Sequence, residues 1–301
     1  MKKTDQKTSA IGIFDSGVGG LTVVQAIRNY LPNETLCYFG DTARVPYGTK
    51  SADTVKRYSV EITRFLQSHD VKMIVVACNT ASSCALPEIR SVFDGPVLGV
   101  VEPGVRAAVA ATKTGRVGLI GTRSTVQSGS YQKHLLEQNS SLHIQSQACP
   151  LFVSLVEEGW ENDEITYQIA HRYLHPFIEN ALDVLIMGCT HYPLMTHVIQ
   201  NVMGESVHLV SSAEEVAKEA LAMLESMDLM AEEKAYKDLF YASDDIAGFK
   251  KLYNRIFQDE NGTFVEAPND FFHIVQEINK FRDQLFRDSI QWFQPLAEKK
   301  F

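Results

Sequence analysis

The chain has 301 residues, of which 45% are hydrophobic and 22% charged, and its formal net charge at pH 7 is −9. This composition is ordinary for a globular protein with one large domain or two medium ones, and the negative charge argues against a general nucleic-acid-binding protein. No run of 18 apolar residues occurs, and the first ten residues are polar. We therefore expect no transmembrane helix, no signal peptide and a cytoplasmic protein.

The five cysteines are Cys37, Cys78, Cys84, Cys149 and Cys189, and no two of them are spaced as CxxC. In a reducing compartment this pattern predicts neither a disulfide framework nor a structural zinc site. Cys37 lies inside an apolar stretch and Cys84 falls on a predicted helix. Both are expected to pack as small hydrophobic side chains.

Short apolar runs alternate with helical patterns, which is typical of parallel α/β sheets. The predicted strands are Ile11–Phe14, Leu36–Phe39, Met73–Ala77, Pro96–Val100, Val117–Ile120, Leu182–Met187 and Leu239–Ser243. The predicted helical segments include Leu21–Tyr30, Thr54–Ser68, Tyr131–Glu137 and a helix that opens at Ser212, with capping-box spacing to Glu215, and runs to about Met227.

Two segments of the first half recur in the second half. The pattern of Ile11–Ser16 (IGIFDS) recurs at Val117–Thr122 (VGLIGT), so that residue 16 corresponds to residue 122 at an offset of 106 positions. The pattern of Val75–Asn79 (VVACN) recurs at Ile186–Thr190 (IMGCT), so that residue 78 corresponds to residue 189 at an offset of 111 positions. Two matches at nearly equal offsets predict two pseudo-symmetric α/β halves, with the site in the cleft between them.

Cys78 and Cys189 end matching strands of these two halves, at the sheet edge where open α/β sheets bind ligands. Each precedes a predicted helix start, which favours the thiolate form. Inverting a stereocentre by proton transfer requires a base on one face and an acid on the other, and the reverse reaction exchanges these roles. Paired thiols suit that task, whereas a single thiol would indicate nucleophilic catalysis.

Two further segments and two single residues could contribute to the site. The glycine-rich turn Asp15–Gly20 could present backbone N–H groups to a carboxylate or phosphate, although a plain tight turn is an equal alternative. The segment Asp41–Gly48 follows the second strand, and Pro46, Tyr47 and Gly48 could wall the substrate. His191 lies two residues from Cys189, where it could accept the thiol proton. Glu157 is a weaker candidate, because a carboxylate at its position on a predicted helix is by default an exposed surface group.

Taken together, these motifs resemble those of the glutamate racemases, a cofactor-independent two-cysteine family that supplies D-glutamate for peptidoglycan. The resemblance covers about residues 11–249 and rests on the segments IGIFDSGVGGLTV (Ile11–Val23), DTARVPYG (Asp41–Gly48), ACNTAS (Ala77–Ser82), VVEPG (Val100–Gly104) and GCTHYPL (Gly188–Leu194).

The resemblance implies that Cys78 removes the α-proton of D-glutamate and Cys189 that of L-glutamate. Asp15 and His191 match residues that assist the two thiols, and Asp41 and Glu157 match acidic residues with auxiliary roles. The residues implied to contact the amino acid are Asp15, Ser16, Tyr47, Gly48, Asn79, Thr80, Thr190 and His191, and Thr122, the repeat equivalent of Ser16, is expected to join them. The family uses neither pyridoxal phosphate nor a metal, so we expect no cofactor.

The resemblance also implies a discontinuous first domain of residues 1–103 and 212–253 and a second domain of residues 104–211. Residues 254–301 are expected to form a C-terminal helical extension, with helical spacing from Phe271 to Trp292. That helix is expected to dock on its own domain, with a self-association surface as the alternative. We expect glutamate as the small-molecule partner, a homodimer, and no nucleic-acid or membrane partner.

Three rival functions stay open at this stage. A two-cysteine racemase acting on aspartate or a related acid is the nearest. An actin-like nucleotide-dependent kinase would explain the turn Asp15–Gly20 but not the two cysteines. A non-catalytic binding protein of the same fold would not need both thiols.

Overall fold

Parallel β-sheets organise the part of the chain that the computed structural model describes, residues 6–257 and 262–267. The first sheet contains β1 (Ile11–Asp15), β2 (Leu36–Gly40), β3 (Met73–Val76), β4 (Val97–Gly99), β9 (Asp238–Ala242) and β10 (Gly262–Glu266). The second sheet contains β5 (Arg116–Gly121), β6 (His143–Ala148), β7 (Val184–Gly188) and β8 (His208–Val210). Every neighbouring pair of these strands runs parallel.

The two sheets share one strand order. The first reads β10-β9-β2-β1-β3-β4 and the second reads β6-β5-β7-β8, so β2-β1-β3-β4 corresponds position by position to β6-β5-β7-β8. The repeated sequence segments fall on β1 and β5 and on β3 and β7, which are the adjacent central strands of each sheet. The predicted pseudo-symmetric α/β architecture is confirmed.

Helices connect the strands and cover both sheets. In chain order they are α1 (Leu21–Tyr30), α2 (Ala52–Ser68), α3 (Asn79–Cys84), α4 (Leu86–Arg90), α5 (Val101–Ala111), α6 (Arg123–Gln127), α7 (Ser130–Gln138), α8 (Leu151–Glu157), α9 (Glu164–Glu179), α10 (Thr196–Met203), α11 (Ser212–Ser226) and α12 (Ile246–Ile256). Short 3₁₀ turns occur at Thr42–Arg44, Tyr47–Thr49 and Tyr192–Met195. Among the helices in these described ranges, none is long and apolar enough to cross a bilayer.

The central strand β7 shows how a continuous apolar run becomes a strand buried on both faces. Leu185 and Met187 pack into a core with α8, α9 and α10. Val184 and Ile186 point the other way, into a core with α5 and α7. Alternate side chains of a strand face opposite sides of the sheet, so the uninterrupted apolar run at β7 supplies both layers. Both sheets belong to one compact unit.

Several details differ from the sequence-based expectations. The hydroxyl of Ser211, rather than that of Ser212, caps α11 by accepting from the backbone N–H of Ala213. Strands β6, β8 and β10 were not predicted: β6 (HIQSQA) is polar and β8 has only three residues. The domain boundaries at residues 103/104 and 211/212 stay a prediction.

The expected helical extension from residue 254 needs correction. Residues 254–256 complete α12, and Gly262–Glu266 forms a strand that pairs with β9 at the edge of the first sheet. This segment is therefore in part a sheet strand. The helix predicted from Phe271 to Trp292 lies outside the described residues.

Candidate active site

Both repeat-equivalent cysteines lie just beyond the carboxyl ends of their strands, and their side chains line one small cavity. Cys78 is only 4% exposed and Cys189 only 6%. The other residues that line this cavity are Ser16, Pro46, Tyr47, Gly48, Asn79, Thr80, Thr122, Val153, Thr190 and His191. The structure thus brings together residues from both sheets, as expected for a site in the cleft.

Cys78 caps the short helix α3, and its sulfur accepts a hydrogen bond from the backbone N–H of Ala81 at 3.5 Å. Burial and the negative charge of Asp15 raise the pKa of the Cys78 thiol, while the Ala81 N–H and the Ser16 hydroxyl act in the opposite direction. The helix N-terminus therefore does not make Cys78 a thiolate, because desolvation outweighs a few hydrogen bonds. The expectation of a favoured thiolate is wrong here.

Cys189 has a different environment. The chain after it begins a 3₁₀ helix at Tyr192–Met195, with Pro193 in its first turn, and α10 follows at Thr196, so the predicted helix start is a 3₁₀ helix rather than an α-helix. Instead, Nδ1 of His191 lies 3.8 Å from the Cys189 sulfur. Nε2 of His191 lies 3.1 Å from Oε1 of Glu157, the last residue of α8.

This chain of contacts sets the protonation of His191. Burial alone lowers the pKa of the imidazole, but the hydrogen bonds and charges of Cys189 and Glu157 outweigh it and raise the pKa overall. Because the Glu157 carboxylate accepts from Nε2, the other ring nitrogen can share a proton with the sulfur. Glu157 is therefore a partner of the site rather than the plain exposed carboxylate of the default interpretation.

Asp15 organises the glycine-rich turn from within. It is fully buried, and its Oδ2 accepts from the backbone N–H groups of Gly17 at 3.2 Å and Gly20 at 3.1 Å. Its Oδ1 accepts from the Thr190 hydroxyl at 3.3 Å. Since the protein's own carboxylate takes these two N–H groups, they do not form the anion site that the turn suggested.

Gly19 allows the turn to approach the other half of the molecule. A Cβ at this position would lie 2.5 Å from both Nδ1 of His191 and Oγ1 of Thr190, closer than real contacts allow. Gly48 plays the same part in the second loop, where a Cβ would lie 2.3 Å from Cβ of Thr122. These two positions explain why glycine is needed in both loops.

Asp41 does not line the cavity but holds a residue that does. Its carboxylate accepts from the Tyr47 hydroxyl, from Nε of Arg44 at 2.6 Å and from the Ser243 hydroxyl at 2.9 Å. Burial raises the pKa of Asp41, and the charge of Arg44 opposes that rise. Asp41 thereby orients the loop that presents Tyr47 and Gly48.

Several residues that support the cavity were not predicted from the sequence. The hydroxyls of Thr80, Thr122 and Thr125 form a triangle with sides of 3.0 to 3.1 Å. The Tyr131 hydroxyl donates to Oδ1 of Asn79 at 2.6 Å, and Ser124 donates to the carbonyls of Gly48 and Lys50 at 3.0 Å each. Only their position shortly after β5 could have marked Ser124 and Thr125, and nothing in the sequence links Tyr131 or Val153 to the cavity.

Within the described residues, no group of three or more His, Cys, Asp or Glu side chains is placed to hold a metal ion. What the cavity does hold is two thiols from symmetry-related positions, with a proton-sharing histidine beside one and a carboxylate near the other. Such a site can exchange protons with a carbon atom placed between the sulfurs. It defines the class of enzymes that invert a stereocentre by two-base acid–base chemistry.

Comparison with known proteins agrees with this class. A family model described as Asp/Glu/hydantoin racemase matches residues 13–220. The chain is 49% identical over 254 residues to the glutamate racemase of Geobacter metallireducens, covering 84% of this chain and 94% of that protein. It is 50% identical over 223 residues to that of Corynebacterium diphtheriae, covering 74% and 84% respectively. The chain therefore belongs to the Asp/Glu/hydantoin racemase family.

Solved structures share the fold. The glutamate racemase of Francisella tularensis, solved in complex with D-glutamate, matches with a TM-score of 0.82 at 33% identity, covering 87% of this chain and 98% of that one. An aspartate racemase from Picrophilus torridus matches with a TM-score of 0.54 at 16% identity, covering 73% and 94%. The second likeness concerns the fold alone.

Proposed function

We propose that this protein interconverts L-glutamate and D-glutamate without a cofactor, using Cys78 and Cys189 as opposed acid–base groups. The observation that carries the proposal is that both sulfurs, at repeat-equivalent strand ends, line one small cavity. Glutamate as substrate is supported by the relatives at 49% and 50% identity, which are named glutamate racemases.

In the direction from L to D, Cys189 is the base. Its thiolate, paired with a protonated His191, takes the α-proton, and the Cys78 thiol gives its proton to the opposite face of the resulting carbanion. The different environments of the cysteines suit this direction, since the raised pKa of Cys78 keeps it protonated while His191 can hold the proton of Cys189.

The reverse direction exchanges these roles. The forward reaction leaves a Cys78 thiolate and a Cys189 thiol, and this is the form that acts on D-glutamate: the Cys78 thiolate takes the α-proton, and the Cys189 thiol gives its proton to the other face. Desolvation in the nearly closed cavity strengthens each electrostatic interaction with the carbanion. The α-carboxylate of the substrate, which shares the developing charge, can accept hydrogen bonds from the hydroxyls and the amide of Ser16, Asn79, Thr80 and Thr122 in the lining, whereas the Thr190 hydroxyl donates to Asp15.

The remaining functional expectations are part of the same proposal. D-Glutamate made by this protein would serve peptidoglycan synthesis, and the enzyme would act in the cytoplasm as a homodimer. Both enantiomers would occupy the same cavity, so Ser16, Pro46, Tyr47, Gly48 and His191, which line it, would serve both of them, and Asp15 would act through its turn and through Thr190.

Circular dichroism tests the substrate directly. Purified protein, with no added cofactor, is incubated separately with L-glutamate and L-aspartate. We expect the glutamate signal to decay to zero, as the racemic mixture forms, and the aspartate signal to persist. Loss of the aspartate signal alone would replace glutamate by aspartate as the substrate.

A further inference from the structure

The position of Glu157 depends on how helix α8 ends. Gly159 has φ of +80°, its N–H donates to the carbonyl of Val156 at 3.1 Å, and the N–H of Trp160 donates to the carbonyl of Leu155 at 2.8 Å. This pattern is a Schellman motif, which ends a helix with a residue in the left-handed conformation. Glu157 is the last helical residue before this turn, so any shift of the turn moves its carboxylate relative to His191.

Arg255 holds this turn from the other half of the molecule. Its Nη1 donates to the carbonyl of Val156 at 3.4 Å, and its Nη2 forms an ion pair with Glu161. A Cβ on Gly159 would lie 3.4 Å from Nη1, so the guanidinium lies directly against the turn. The planar guanidinium can donate to a carbonyl and a carboxylate at once, which a lysine ammonium matches poorly.

The helix that carries Arg255 is itself anchored in the core. It lies on α12, whose Phe249 and Tyr253 are buried in the core of the first sheet. The ring centroids of Tyr253 and Phe240, a β9 residue, lie 5.0 Å apart. The helix is thus anchored to the first sheet, while the turn that Arg255 contacts follows α8, which packs on the second sheet.

From these contacts we infer that Arg255 is a positioning residue for the reaction: it holds the end of α8 so that the Glu157 carboxylate meets His191 beside Cys189. The inference rests on the proposed function, since it concerns the same thiol. Arg255 touches neither thiol and does not line the cavity between them. Its effect therefore passes through the contact of 3.1 Å between Glu157 and His191.

The first experiment compares Arg255→Met, Arg255→Lys and the control Lys251→Met. Lys251 lies on the same helix and also carries a positive charge, so the control removes an equal charge. Because the enantiomers have equal free energies, kcat/KM must fall by the same factor in both directions. We expect about a tenfold fall for Arg255→Met, the size of one lost charged hydrogen bond, a smaller fall for Arg255→Lys, and none for Lys251→Met.

The second experiment asks whether the effect passes through Glu157. In a Glu157→Gln background, Arg255→Met should change kcat/KM by less than about twofold, because the contact it supports is already weakened. A full tenfold loss in that background would overturn the inference and assign Arg255 a purely structural role. If Arg255→Met does not fold, Glu161→Gln can replace it in the same double-mutant cycle with Glu157→Gln, because it removes the carboxylate that anchors Arg255 and keeps the arginine.

A third measurement needs no substrate. Within the described residues, the titratable side chains that hydrogen-bond to the side chain of His191 or of its neighbour Thr190 are Cys189, Glu157 and Asp15. Of these, only the Glu157 contact depends on the turn that Arg255 holds. NMR titration of the His191 imidazole should therefore show a lower pKa in Arg255→Met than in the wild type, and an unchanged pKa would refute the positioning role. If the wild type fails to racemise glutamate, the proposed function fails while this titration still decides the role of Arg255.

Discussion

The Thr190 hydroxyl donates to the Asp15 carboxylate across 3.3 Å and so joins the loop after Cys189 to the turn beside Cys78. The same carboxylate ties down the backbone of its own turn through Gly17 and Gly20. One buried acid therefore sets the distance between the two loops that carry the site. The distance between the two thiols therefore depends on this hydrogen bond, to which each half of the molecule contributes one residue.

Replacing either cysteine by serine should stop racemisation. A serine hydroxyl is a far weaker acid than a thiol, so the variant lacks its base or acid on one face, and we expect a loss of at least about 10²-fold to 10⁴-fold in kcat. Polarimetry or circular dichroism with each enantiomer measures the loss for Cys78→Ser and Cys189→Ser.

Proton exchange in deuterated solvent separates the two cysteine variants. Cys189→Ser retains the proposed base for D-glutamate and should exchange the α-proton of that enantiomer alone, whereas Cys78→Ser should do so only with L-glutamate. Cys84→Ser is the matched control and should racemise normally. Racemisation at the wild-type rate in either active-site variant would exclude that cysteine from the mechanism.

Gly19→Ala should damage the site more than the fold. The new methyl group would overlap Nδ1 of His191 and Oγ1 of Thr190, so the junction must open. We expect a destabilisation of about 1–3 kcal/mol, as for other overpacked sites, with a fall in kcat/KM of at least about tenfold.

The control for this change is Gly12→Ala, whose Cβ would meet nothing closer than the Val71 methyl groups at 3.2 Å. Gly12 lies near the start of β1, the strand that precedes the turn of Gly19, so the control should stay active. Urea unfolding and initial rates measure both variants. Equal activity of the two variants would show that the turn does not need to approach His191 so closely.

The sequence was informative wherever local pattern decides structure. Apolar runs predicted the central strands, and the repeat around Cys78 and Cys189 predicted both the matching halves and the shared cavity. Parallel strands that end in small polar residues leave few alternatives, because their carboxyl ends collect at one sheet edge. The predicted strand at Leu36–Phe39 and the helix at Leu21–Tyr30 agree with β2 and α1 to within one residue.

Contacts between distant segments could not be predicted. The pairing of Glu157 with His191, the threonine triangle and the grip of Arg255 all join residues from separate elements, and no local pattern encodes them. The edge strands β6, β8 and β10 were not predicted, because edge and short strands lack a strong hydrophobic signal. The protonation of Cys78 was mispredicted because a helix N-terminus is visible in sequence, whereas desolvation is visible only in the fold.

Glu157→Gln should change the pH dependence. The Glu157 carboxylate helps to raise the pKa of His191, so its removal lowers that pKa. A protonated His191 supports the Cys189 thiolate, and activity falls as pH rises through the pKa of His191. The alkaline limb of the kcat profile for L-glutamate should therefore move to lower pH in the variant. Glu158→Gln is the neighbouring control and should keep the wild-type profile, and an unmoved limb in Glu157→Gln would contradict this role.

Thr125→Val should weaken substrate binding. Thr125 is fully buried and lies outside the lining, but its hydroxyl holds those of Thr80 and Thr122, which we propose contact the substrate. Losing one such hydrogen bond should raise KM by roughly five- to tenfold and leave kcat nearly unchanged. Thr125→Ser keeps the hydroxyl and should restore KM. Steady-state kinetics would contradict the account if kcat fell and KM did not change.

The central claim is that two different thiols act on opposite faces of one carbon. Its most direct test is the isotopic content of glutamate at low conversion in deuterated water, measured by NMR or mass spectrometry from either enantiomer. With two bases, the product receives its α-hydrogen from a thiol that has exchanged with solvent. We predict a fully deuterated product and recovered substrate that keeps its α-protium. Protium transferred from substrate to product would show a single base at work and would contradict the account.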